Sequence, residues 1–213
     1  MLFVNDIPGL RDIPHWLLHA TEHEDMLGFS DTIFPGFLFA MGMAVPFAIE
    51  NRFKKGDTTG QVAVHIFWRT VALLVMGLFT VNRDTIDATA TGISKPWFSI
   101  LMVLAFFLVW SVYPKVSGLR KWLFTAMKLL GVAILAYLFY RYRGVNGSSF
   151  SPQWWGILGL IGWTYLVCAS IYLLIRSDLT LNLIALGLML GCSVCSEAGL
   201  FSTIGFIQYL PSE

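Results

Sequence analysis

The stretch Trp154–Ile175, WWGILGLIGWTYLVCASIYLLI, carries no charged residue from end to end. About 20 consecutive apolar residues suffice to cross a bilayer as a helix. The same pattern recurs on both sides of it: Asp31–Ile49, Val62–Val81, Pro96–Val112 and Trp122–Tyr140 precede it, and Leu179–Cys195 follows. A further apolar piece, Gly199–Leu210, is too short to span unaided. Over the 213 residues, 56% are hydrophobic and only 13% charged, against about a quarter charged in soluble domains. A soluble fold of this length cannot hide so much apolar surface. The chain therefore reads as an all-α, polytopic transmembrane helix bundle with six visible spans and a lipid bilayer as its first partner.

The connections are polar, and only Arg176-Ser177-Asp178 separates the last two spans, which predicts a tight turn. Arg52, Lys54, Lys55, Lys115, Arg120, Lys121 and Arg176 follow the odd-numbered spans and outnumber Arg11, Arg83, Lys95, Arg141 and Arg143 on the other side. Lys and Arg favour the cytoplasmic face. This orientation puts the polar segment before the first span outside, periplasmic for a multipass inner-membrane protein of a bacterium. Residues 1–30 read as that extracytoplasmic loop, with the tail of a missing helix at its start, and residues 31–213 as the transmembrane helical domain. Both ends look cut, so a fragment of a larger bundle is expected. A net charge of +1 gives no footprint for nucleic acid. Cys168, Cys192 and Cys195 all lie in apolar segments, so no disulfide framework is expected. The Cys192–Cys195 spacing, beside the Gly187/Gly191 pair, reads as helix packing rather than metal or redox chemistry. Gly156, Gly159 and Gly162 read the same way.

Chemistry concentrates at the mouth of the first span, His19–Ile49, HATEHEDMLGFSDTIFPGFLFAMGMAVPFAI. His19 and His23 share a loop with Glu22, Glu24 and Asp25, and Asp31 opens the helix. An imidazole can take and return a proton, or accept an acyl group, while a carboxylate fixes its tautomer. The plainer reading is a solvated loop with Asp31 as a helix-start anion. Pro35 and Pro46 bracket the helix, and Pro46 is expected to kink it. Arg69, about two turns into the second span and one turn after His65, is either a charge for an anionic ligand or a snorkelling cation. No metal site is expected from these residues.

The run Ser30-Asp31-Thr32-Ile33-Phe34-Pro35-Gly36, continuing to Gly42, resembles the transmembrane N-acetyltransferases of the heparan-α-glucosaminide N-acetyltransferase family. The likeness continues through Pro46–Asp57 and His65-Ile66-Phe67-Trp68-Arg69 to Gly77-Leu78-Phe79, and covers about Asn5–Asn82. It is strongest toward bacterial members of the Bacteroidetes type, which are labelled a domain of unknown function or an N-acetylglucosamine-related transporter. The resemblance implies a larger helix bundle than the six spans seen here. It implies acetyl transfer from acetyl-CoA to an amino sugar or glycan across the membrane, and it allows a homodimer. His19 is implied as the catalytic histidine, Asp31 as its orienting acid, and Arg69 as a balance for charge on the acyl-CoA. The loop Thr21-Glu22-His23-Glu24-Asp25 departs from the family pattern, so His23 is the alternative histidine. The competing expectations are a transporter of N-acetylglucosamine or a related sugar, and a non-catalytic remnant.

Overall fold

The computed structural model describes residues 13–21, 24, 26–114, 117–153, 155–176 and 178–198. Among them six long helices follow in chain order: α1 (Phe29–Lys54), α2 (Thr59–Asp84), α3 (Lys95–Trp110), α4 (Leu119–Arg141), α5 (Gly156–Ile175) and α6 (Leu179–Glu197). They coincide with the six apolar segments, and no strand occurs among the described residues. All but α3 are long and apolar enough to cross a membrane. The 16 residues of α3 reach only about 24 Å, short of a hydrocarbon core of about 30 Å. Pro96 stands in the first turn of α3, which its fixed φ suits, and the helix ends at an extended Ser111 with Pro114 close behind. The expected span to Val112 is therefore shortened by two residues.

α1 is longer than its apolar stretch. Glu50–Lys54 extend it by a turn into polar sequence, because a helix need not stop where its apolar face does. Both prolines lie inside it. Each removes one N–H from the ladder, which releases the carbonyls of Asp31 and Gly42. α5 and α6 are joined through Arg176–Asp178 as the sequence predicts. Asp178 accepts the Leu181 N–H at 3.1 Å, and Asn182 Nδ2 donates to the Arg176 and Asp178 carbonyls at 2.8 and 2.7 Å.

The chain packs as two units. One combines the described residues up to Ile66 with Thr164–Leu190, and the other combines Phe67–Trp163 with the described residues from Gly191. The second unit holds a core of Phe79, Phe98, Met102, Leu135, Leu138 and Tyr142. The Phe150 ring meets Phe79, Phe139 and Tyr142 edge-on at centroid distances of 4.9, 4.9 and 5.1 Å. Asn82, Thr85 and Thr91 bind the 142–151 segment over one end of this core. Thr85 Oγ1 lies 2.9 Å from the Tyr142 hydroxyl, and Thr91 Oγ1 donates to the Arg143 carbonyl at 3.0 Å. A short helical turn, Ala88–Thr91, carries Thr91 there. Its cap, Asp87, accepts the Thr89 hydroxyl at 2.6 Å and the Thr89 and Ala90 N–H groups at 2.9 and 3.1 Å. These bonds, the Thr89 hydroxyl foremost, hold the Asp87 carboxyl below its ordinary value.

α2 and α5 touch backbone to backbone where Gly77 faces Gly159. A Cβ on Gly77 would stand 2.6 Å from the Trp155 carbonyl oxygen and 2.8 Å from Gly159 Cα. Gly162 lies close to Leu73 in the same way, so the packing role expected of the α5 glycines holds. Gly77→Ala is expected to lower stability by about 1–3 kcal/mol, the cost of overpacking. A thermal-denaturation curve in detergent that matches the wild type would remove that role. For Gly187 and Gly191, none of the described residues comes within 4 Å of where a Cβ would sit, so the described residues supply no packing partner for this pair. Cys192 is exposed and Cys195 half-buried, both as free thiols.

Candidate functional site

The site is built at the start of α1, within the first packing unit. Pro14 opens a 3₁₀ turn, His15–Leu17, and the chain then runs extended through Leu18. Ser30 is buried and its hydroxyl donates to the Leu17 carbonyl at 2.5 Å, which fastens this turn to the helix. Gly28, the N-cap, passes so close to the Leu18 carbonyl that no Cβ fits. Sequence thus dictates this approach through one glycine and one serine.

Asp31 is the third residue of α1, where a carboxylate can reach back to the cap. Its Oδ2 accepts the Gly28 and Ala20 N–H groups, each at 3.0 Å, and its Oδ1 lies 2.6 Å from His19 Nδ1. An ionised carboxylate only accepts, so the close partner nitrogen, Nδ1, carries the proton. Nε2 is then the basic nitrogen of the neutral ring. The His19 side chain is 64% exposed and that of Asp31 25%, so the imidazole stands open to solvent on a carboxylate that is held from behind. The two readings of Asp31, helix-start anion and partner of His19, hold at once, one on each oxygen.

His15 is a further member that the sequence reading passed over. Its Nε2 lies 3.3 Å from Glu24 Oε1, and Glu24 also accepts the Thr21 N–H at 3.1 Å. Thr21 first, then His15, hold the Glu24 carboxyl below its ordinary value. The signal for His15 was its position four residues before His19, beside Trp16. Glu22, His23 and Asp25 lie outside the described residues. Among the described residues, no three His, Cys, Asp or Glu side chains gather as ligands for a metal ion.

Arg69 stands on α2, in the other packing unit. Because α2 begins at Thr59, Arg69 is nearly three turns in rather than two, about 15 Å along the helix. It shares a face with His65 by its i, i+4 spacing. His65 is engaged near the other end of α1: Arg52 donates to its Nδ1 at 3.0 Å and to Asp57 at 2.9 Å. A guanidinium has only donors, so this Nδ1 is unprotonated. Beside it, Arg176 lies 3.3 Å from both Glu50 oxygens, with its guanidinium 4.3 Å from the Phe53 ring centroid. Asp31 and Glu50 are separated by about 28 Å of helix, close to the thickness of a bilayer core. The histidine pair and this ion-pair cluster therefore mark opposite ends of one membrane-length helix.

The family model described as Domain of unknown function (DUF5009) matches residues 13–204, which include the whole histidine loop and all six helices. No curated protein and no solved structure matches the chain significantly.

Proposed function

We propose, for a chain that belongs to the DUF5009 family, that it is a membrane-embedded acyltransferase moving an acetyl or related acyl group from acyl-CoA to an amino sugar or glycan. The observation that carries this reading is the His19–Asp31 contact at 2.6 Å. Its chemistry suits amine acylation. The acceptor amine attacks the thioester carbonyl, the C–N bond forms and the C–S bond breaks. His19 Nε2 takes the proton lost by the amine and returns it to the departing thiolate. The products are an amide and free CoA. Asp31 holds the ring in the required tautomer and stabilises the imidazolium between the two transfers.

Arg69 is the proposed balance for negative charge on the acyl-CoA. Arg69→Gln is expected to raise KM for acetyl-CoA and leave the His19–Asp31 pair intact. The loop side is proposed as periplasmic, in an inner membrane, from the Lys and Arg distribution.

The test uses the protein in proteoliposomes with radiolabelled acetyl-CoA and glucosamine on opposite faces. His19→Ala is expected to cut product formation by about 10²–10⁴-fold, the range of a general base, with His23→Ala near wild type. Loss with His23→Ala alone would move the role to His23. If no product forms while labelled N-acetylglucosamine crosses the bilayer in every variant, the protein is a sugar transporter and the loop is a solvated surface.

A further inference from the structure

The second packing unit holds a basic recess at the end of α3, the shortest of the six long helices. α3 and α4 pack against each other, with Gly131 of α4 seated on Leu108 and Val109 of α3, 2.8 Å from side-chain atoms of each at its Cβ position. α3 ends one residue later, at Trp110. α4 extends about 18 Å beyond Gly131 toward Leu119. The first three turns of α4 therefore rise past the end of their neighbour. Beside them lies a cavity of about 560 Å³, lined by Tyr113, Ser117, Lys121, Phe124, Thr125 and Lys128 among others.

The lining is amphiphilic in an ordered way. Lys121 and Lys128, seven residues apart, fall on one face of α4. The Tyr113 and Phe124 rings stack at 4.9 Å and 28°, and the Lys128 ammonium lies 5.5 Å from the Tyr113 ring centroid. Among the described residues no carboxylate lines the cavity, and the chain has no Asp or Glu anywhere from Ala88 to Ser177. Trp122, exposed near the start of α4, marks the level of the interface. Lys128 lies about 9 Å below it along the helix. Charge at that depth calls for a counter-charge or a route to water. A second cavity of about 420 Å³, lined by Phe106, Phe107 and Trp110 with other apolar side chains, opens at the same end of α3.

We propose that this recess binds the phosphate headgroup of an anionic phospholipid, with Lys121 and Lys128 on the phosphate, the Ser117 and Thr125 hydroxyls within the polar lining, and the acyl chains along the apolar face of α3. The short helix creates the space, and the absence of acids leaves the charge for a ligand. This site is separate from the acyl-transfer reading and stands or falls without it.

The experiment is native mass spectrometry of the full chain, delipidated in neutral detergent and titrated with phosphatidylglycerol or phosphatidylcholine. Phosphatidylglycerol is expected to bind in preference, and Lys121→Gln/Lys128→Gln to weaken it about 10–30-fold, as two near-surface charges do. Lys121→Arg/Lys128→Arg is expected to restore binding. Lys95→Gln, whose partner is Asp84, is expected to change nothing. Equal binding of both lipids, or equal loss in the Lys95 variant, would overturn the proposal. A third titration adds CoA: displacement of phosphatidylglycerol by micromolar CoA with the same lysine dependence would assign the phosphate to a nucleotide and overturn the lipid assignment.

Discussion

Asp31→Asn is expected to abolish the proposed acyl transfer almost as fully as His19→Ala, while leaving the fold nearly intact. The reason lies in which oxygen serves which partner. Oδ2 takes two backbone N–H groups, from Gly28 and Ala20, and Oδ1 takes His19. An asparagine has one oxygen to offer. Two N–H donors outbid one imidazole for it, so the oxygen occupies the Oδ2 place and the amide NH₂ turns toward His19. That nitrogen can only donate, which obliges His19 Nδ1 to accept and moves the ring proton to Nε2. The basic nitrogen is then lost from the open side. A base in the wrong tautomer costs about 10²–10⁴-fold in kcat. Asp31→Ala also leaves the cap N–H groups without an acceptor and is expected to cost about 1 kcal/mol of stability. Single-turnover rates of both variants, beside their thermal midpoints, separate the two effects. An Asp31→Asn protein that acylates at the wild-type rate would show that the tautomer of His19 has no part in the reaction.

The sequence displays this pair because twelve residues and one glycine hold it together. Local spacing sufficed to single out His19 and Asp31. It could not reveal that Asp31 divides its oxygens between cap and imidazole, since that depends on how Leu18 passes Gly28. The six helices were equally visible, as long apolar runs need no partner to declare themselves. What stayed hidden is what joins distant segments. Glu50 meets Arg176 across 126 residues, and Thr91 meets Arg143 across 52. Nothing in the polar stretch Asn82–Lys95 distinguishes a solvated loop from a bonded cap over a core. The glycines divide on the same ground. Gly159 in α5 faces Gly77 and packs, whereas Gly187 and Gly191 show an equally small face to no described neighbour. Spacing marks a surface able to pack; only the fold supplies the other side.

Asn82 and Thr70, both buried polar residues of α2, are expected to respond in opposite directions to loss of their polar groups. Asn82 is fully buried and uses both ends of its amide. Nδ2 donates to the Leu78 and Ser151 carbonyls at 2.8 and 2.7 Å, and Oδ1 accepts the Ser151 N–H at 3.2 Å. It thereby replaces, with one side chain, the backbone pairing that Ser151 finds nowhere else among the described residues. Asn82→Ala leaves the N–H and carbonyl of half-buried Ser151 without these partners. An unmade buried bond costs about 1–3 kcal/mol, and two are lost here together with a side chain's packing. A loss of about 3 kcal/mol is expected, or about 6–12 °C in Tm for a chain of this size. Thr70 Oγ1 is buried with no hydrogen-bond partner among the described residues. Thr70→Val keeps the shape and removes the unpaired hydroxyl, so its Tm is expected to equal or exceed the wild type. Both are read from one thermal-unfolding experiment in detergent. If Asn82→Ala melts with the wild type, the Ser151 strap is not held by that amide. If Thr70→Val is the less stable of the two, its hydroxyl has a partner that matters, and the account of buried polarity along α2 must be inverted.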